Sequence, residues 1–172
     1  MFTKTTIEKY FFAEKAESLV FVCIGLAGLL AAIVFFFFIK QTFYKGMAVP
    51  FLLIGLMLGV VGYTVYRRSG EDIKRNVYAF DMNPGDLKEK EIPRMKTVMK
   101  NFVIYRWVEI VLLATGLFLF FYFRHAAGKE FLRGAGLGLA FMAFLALAAD
   151  YFAEQRGKEY LGGLEQFTSN LH

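Results

Sequence analysis

Four ionisable side chains border or interrupt the long apolar stretches of this sequence: Glu17, Arg106, Glu109 and Asp150. Arg106 and Glu109 are three residues apart, which makes them neighbours on one face of a helix. Ionisable groups at membrane depth usually face a helix-bundle interior and pair with one another. Two kinds of chemistry follow. The preferred one is mechanical: an ion-pair clamp, with Arg106 against Glu109, fastening a third helix to its neighbours. Charges near a membrane edge can also reach water along their own stems, which favours the plainer reading. The other is a proton or cation site, with Glu109 and Asp150 as the ion-binding groups, or a polar pocket for a partner.

Little else in the sequence has the pattern of a reaction centre. There are two histidines, His125 and His172, far apart in the chain. Cys23 is the only cysteine and lies within an apolar run, so an intrachain disulfide is excluded and metal ligation by clustered Cys and His is not expected. It reads as an inert thiol rather than a nucleophile. Neither a phosphate-binding G-x-x-x-x-G-K-[ST] nor a nucleophile-elbow G-x-S-x-G is present. No cofactor is implied. The basic residues Arg67, Arg68, Lys74 and Arg75 suit anionic lipid headgroups and also act as topology determinants. Nine bases and six acids alternate over 67–101, too mixed for a nucleic-acid-binding stripe.

The elements that must carry these residues are membrane helices. Ser18 to Ile39 and Gly46 to Tyr66 contain no charged residue. Each run is about 20 residues, enough to cross a hydrocarbon core of roughly 30 Å. A third charge-free run, Ile110 to Phe123, has only 14 residues. A full crossing must therefore begin near Ile104, drawing Arg106 and Glu109 into the edge of the membrane. A fourth run extends from Gly134 to Ala149 and ends at Asp150. Hydrophobic residues make up 57% of the 172, and mean hydropathy is +0.45, more apolar surface than a soluble domain of this size can hide. The start of the chain does not read as a secretory signal, because Glu8, Glu14 and Glu17 interrupt the basic region such a signal needs.

The expected architecture is a single all-α domain, a four-transmembrane-helix bundle running up-down-up-down with cytoplasmic helical extensions. Its spans cover about 18–39, 46–66, 104–123 and 131–150, with a cytoplasmic loop at 67–101. Thr5 and Glu8 fit a capping box for an N-terminal helix with an apolar stripe at Ile7, Tyr10 and Phe11. The stretch Asp81 to Asp86 reads as a turn, and Pro93 as the first residue of the third helix. Gly162-Gly163 is expected to end the last helix, with fraying beyond it. Small residues mark helix-packing faces: Gly28 and Ala32 in the first span, Gly55 and Gly59 as a GxxxG in the second, Gly134 and Gly138 in the fourth. A Phe-rich end closed by a base recurs in both halves, which suggests a duplicated hairpin.

Fourteen bases flank the spans on the side of the termini and the 67–101 segment, against five on the other. Basic residues stay inside, so both termini are expected in the cytoplasm, at the inner membrane if the source is bacterial. The functional expectation is a non-enzymatic multi-pass membrane protein acting through protein contact, an accessory subunit or a toxin-immunity-type protein. Its partners would be the lipid bilayer and another membrane protein or a second copy, and not nucleic acid. The alternative is a small oligomeric ion or proton transporter or channel.

Overall fold

In a computed structural model, which describes residues 2–169, every element is helical. Four helices are long and apolar enough to cross a membrane. Helix α1 spans Lys4–Ile33 and widens into a π-helical stretch at Val34–Phe38. Helix α2 spans Thr42–Met82. A single turn, α3 (Pro84–Asp86), and a π-helical stretch at Leu87–Glu91 lead into α4, Ile92–Tyr122. Helix α5 spans Glu130–Ser169.

The side-chain pairings fix how the helices run. Lys4 meets Asp81, Glu14 meets Ser69, and Phe35 meets Phe51, so α1 and α2 are antiparallel. Lys96 meets Glu165 and Arg106 meets Glu154, so α4 and α5 are antiparallel too. Phe51 stacks on Phe141 and Phe80 on Phe167, which makes α2 and α5 parallel. The two second helices thus form the centre, α1 flanks α2, and α4 flanks α5. This arrangement accommodates the repeated-hairpin pattern.

Two cores result. In the apolar half, Ala32, Ala48, Phe51, Ile54, Leu58, Met142 and Ala146 pack together. Backbones approach closely there because side chains are missing. A methyl group on Gly25 would stand 2.6 Å from the Gly55 carbonyl oxygen, and one on Gly116 would stand 2.7 Å from that of Gly136. The other core lies in the polar half, where the ends of all four long helices gather into a head. It contains Ile7, Tyr10, Phe11, Ala79, Leu87, Met95, Tyr160 and Leu164.

That head revises several expectations. The segment 67–101 is not a loop: α2 continues through Arg67 and Arg68 to Met82, and the chain leaves helix only near Asn83. The buried face that holds it helical is Ser69, Asp72, Asn76 and Ala79, spaced three and four apart but mostly polar. The expected turn shrinks to that one residue, and Pro93 is the second residue of α4 rather than the first. The N-cap is Thr3, not Thr5; its side chain accepts from the Thr6 amide at 3.3 Å, and Thr6 Oγ1 accepts from the Thr3 amide at 3.2 Å. Gly162-Gly163 does not break α5, which runs on to Ser169 with Leu164 fully buried in the head. Tertiary packing there offsets the roughly 1 kcal/mol helix penalty of each glycine. The fraying expected at the last residues, and His172, lie outside the described residues. Pro50, expected in a first turn, lies two turns inside α2 because that helix begins at Thr42.

Candidate functional site

The four singled-out charges are spread along about two turns of α5, and not in the expected pairs. Arg106 does not pair with Glu109. Its Nη1 donates to both oxygens of Glu154 at 3.1 Å, tying α4 to α5. Lys158 donates to the same Glu154 carboxylate at 2.7 Å. Glu17 of α1 pairs with Arg156 of α5. Three helices are therefore clamped, by residues that include Glu154 and Arg156 as well as those foreseen. Both lie past Asp150 on α5; Glu154, four residues on, shares the helix face of Asp150, whereas Arg156, six residues on, does not.

Glu109 and Asp150 are left over. The two carboxyl groups are neighbours across the α4–α5 contact. Among the described residues no Lys, Arg or His nitrogen lies within 4.0 Å of either. The buried Oε2 of Glu109 has no hydrogen-bond donor from the rest of the chain. Two carboxylates in contact cannot both stay ionised cheaply; a shared proton, a cation or an added base relieves them.

A second charge network, not expected from the sequence, lies in the head. Asp72 is 2% exposed and is approached by Arg75 at 2.7 Å, Arg68 at 3.2 Å and Arg94 at 3.9 Å. Glu91, equally buried, takes a bidentate pair from Arg94 at 2.6 and 2.9 Å. Glu14 accepts from Ser69 Oγ at 2.8 Å. Three acids and three arginines thus neutralise one another. Burial works against the Arg94 charge, but its hydrogen bonds to Glu91 and the nearby acids outweigh it and raise its pKa. Burial also raises the Glu14 carboxyl above the usual range, with the Ser69 bond and Arg68 opposing. Tyr10 and Tyr160 stack at 4.1 Å beside this network, and burial raises both phenols.

The remaining candidates divide. Arg68 and Arg75 of the headgroup group are engaged by Asp72, whereas Arg67 lies over the Tyr63 ring at 5.9 Å and Lys74 is exposed. Gly55 meets α1 at Gly25 and Leu29; Gly28 meets Phe51; Ala32 is in the apolar core; Gly134 and Gly138 seat α5 on Phe43, Met47 and Pro50 of α2. Gly59 differs: a methyl group there would meet nothing within 4 Å. Among the described residues no group of His, Cys, Asp and Glu has the arrangement of a metal site. Compared with protein-family models, curated proteins and solved structures, the chain gives no match.

Proposed function

We propose that this chain is a non-enzymatic multi-pass membrane protein that works through contact with another membrane protein or a second copy of itself, as an accessory or immunity-type subunit. The observation that carries the reading is the pair Glu109 and Asp150, two facing carboxyl groups with no base within 4.0 Å among the described residues. Glu109 belongs to α4, which buries only Met95 and Gly116 along its whole length. A partner helix bringing a Lys or Arg would satisfy both carboxyls and cover that flank.

In this reading the helices cross up-down-up-down, and the head lies in the cytoplasm with both termini, because the basic flanks stay inside. The membrane is the inner membrane if the source is bacterial. Cysteines at Thr42, Gly128 and Asp86 in a Cys23→Ser background test the orientation. An impermeant thiol reagent applied from outside should label the first two and spare Asp86→Cys.

Contact is tested by oxidative cross-linking in membranes from Val108→Cys or Val111→Cys, both exposed on α4. A discrete cross-linked species, lost when Glu109→Gln and Asp150→Asn are added, is expected. Only monomer at both positions would refute contact with a second copy, and absence of any photo-crosslinked adduct from a benzophenone placed at either position would refute contact with another membrane protein. The transporter alternative draws on the same two carboxyls and predicts proton or cation flux in proteoliposomes that the double variant abolishes.

A further inference from the structure

Arg67 is the first charged residue after the run Gly46 to Tyr66. At 1.5 Å per residue it stands roughly 17 Å from the middle of that run, just outside a half-core of about 15 Å and level with lipid phosphates. A shallow surface groove of about 280 Å³ opens there, lined by Tyr63, Thr64, Arg67, Arg68 and Glu71. Arg67 and Glu71 have no ion-pair partner within 4.0 Å among the described residues, although they lie four apart on one helix. Tyr63 and Arg67 are both exposed, and the guanidinium rests against the ring. Arg68 is partly committed to Asp72 but keeps about 45% of its side chain exposed.

We infer that this groove binds the headgroup of a phosphatidylethanolamine lipid, its phosphate on Arg67 and Arg68 and its ammonium on Glu71. The order of charges matches the depth of the lipid's own. The cations are at phosphate level, and Glu71 lies one turn, about 6 Å, farther toward water, where the amine of the headgroup extends. A purely anionic lipid would place no positive group on Glu71. A choline headgroup would place there a quaternary ammonium that cannot donate a hydrogen bond. Tyr63, exposed beside the groove, is the interfacial aromatic that covers the glycerol region. The inference rests on the membrane reading above.

The test places the purified protein in phosphatidylcholine nanodiscs containing equal small fractions of phosphatidylethanolamine and phosphatidylglycerol, and identifies by native mass spectrometry the lipid retained after release. Retention of phosphatidylethanolamine about tenfold above phosphatidylglycerol is expected, the ~1.4 kcal/mol of one charge-assisted hydrogen bond. Glu71→Gln should erase that preference while lipid is still retained, and Arg67→Gln should lower retention of both. Lys100→Gln, which removes an exposed base on α4, should change neither. Equal retention by the parent, or a preference that survives Glu71→Gln, overturns the inference. Displacement of the lipid by millimolar free phosphoethanolamine but not by phosphate supports it. Failure of the protein to float with vesicles of any composition would instead overturn the membrane reading.

Discussion

Glu109 of α4 faces Asp150 of α5, acid against acid, while Arg106, one turn away, is held by Glu154 at 3.1 Å. The cation nearest in sequence is therefore not the one that neutralises Glu109. The clamp between these helices lies a turn toward the head, and the unbalanced acids lie on its apolar side.

This division separates two variants that sequence spacing would treat alike. Glu109→Gln leaves the Arg106–Glu154 bridge intact and relieves an acid–acid contact, so thermal stability in detergent should be unchanged or higher. Glu154→Gln strips a 5%-exposed carboxylate from two cations. Breaking a buried pair costs roughly 3–5 kcal/mol, reduced here to about 1–3 because Arg106 and Lys158 are substantially exposed. A lower melting temperature for Glu109→Gln than for Glu154→Gln would contradict the arrangement.

The glycines of the first hairpin should also differ. Gly25→Ala drives a methyl into the Gly55 carbonyl, at 2.6 Å, and the Gly59 amide, at 2.7 Å, both of them backbone that cannot swing aside. Overpacking of this kind costs about 1–3 kcal/mol. Gly59→Ala meets open space and gains helix propensity, so it should be neutral or stabilising by up to about 1 kcal/mol. Paired melting curves in one detergent decide it; equal losses at the two sites would show that the hairpin does not pack as described.

The head should respond to pH through Glu14. Its folded pKa is raised by burial, so the folded state holds that proton more tightly than the unfolded chain. The stability linked to it is fully present below the unfolded value of about 4.3 and is lost as pH rises through the folded value. Glu14→Gln, a fixed mimic of the protonated form that still accepts from Ser69, should melt higher than the parent at pH 7, with the gap closing toward pH 4. A gap that widens on acidification would mean that the ionised form is the one stabilised.

Removing Asp72 should open the head. Asp72→Ala leaves Arg68, Arg75 and Arg94 around a lost common anion, a change on the order of 1–3 kcal/mol because Arg68 and Arg75 are about half exposed. Hydrogen exchange is expected to rise across 69–95 and 154–166 while the Gly25–Gly55 contact region stays protected. Uniform exchange along the whole chain would argue that head and apolar half unfold as one unit.

The amino-acid sequence by itself determined the apolar helices. Uncharged runs such as Ser18–Ile39 and Gly46–Tyr66 are long and apolar enough to cross a membrane, and a chain in lipid could satisfy its backbone there only as helix, which is the structure they adopt. It also put Glu109 and Asp150 at the ends of such runs, with Arg106 three residues before Glu109. What it left hidden was the head. The buried face of α2 there is Ser69, Asp72, Asn76 and Ala79, a periodic stripe written in polar letters that reads as a loop until its partners are known. Asp72 belongs in a core only because Arg75 and Arg94 come to it from one turn and from another helix. Tertiary structure likewise decided which acid Arg106 holds. Glu109, three residues along, and Glu154, 48 residues along, are both placed on plausible helix faces, and only the α4–α5 crossing puts Glu154 at 3.1 Å. The GxxxG motif divides in the same way: its spacing announces a close helix contact, but Gly55 points into α1 and Gly59 points into open space, a difference of helix rotation that no count along the chain contains.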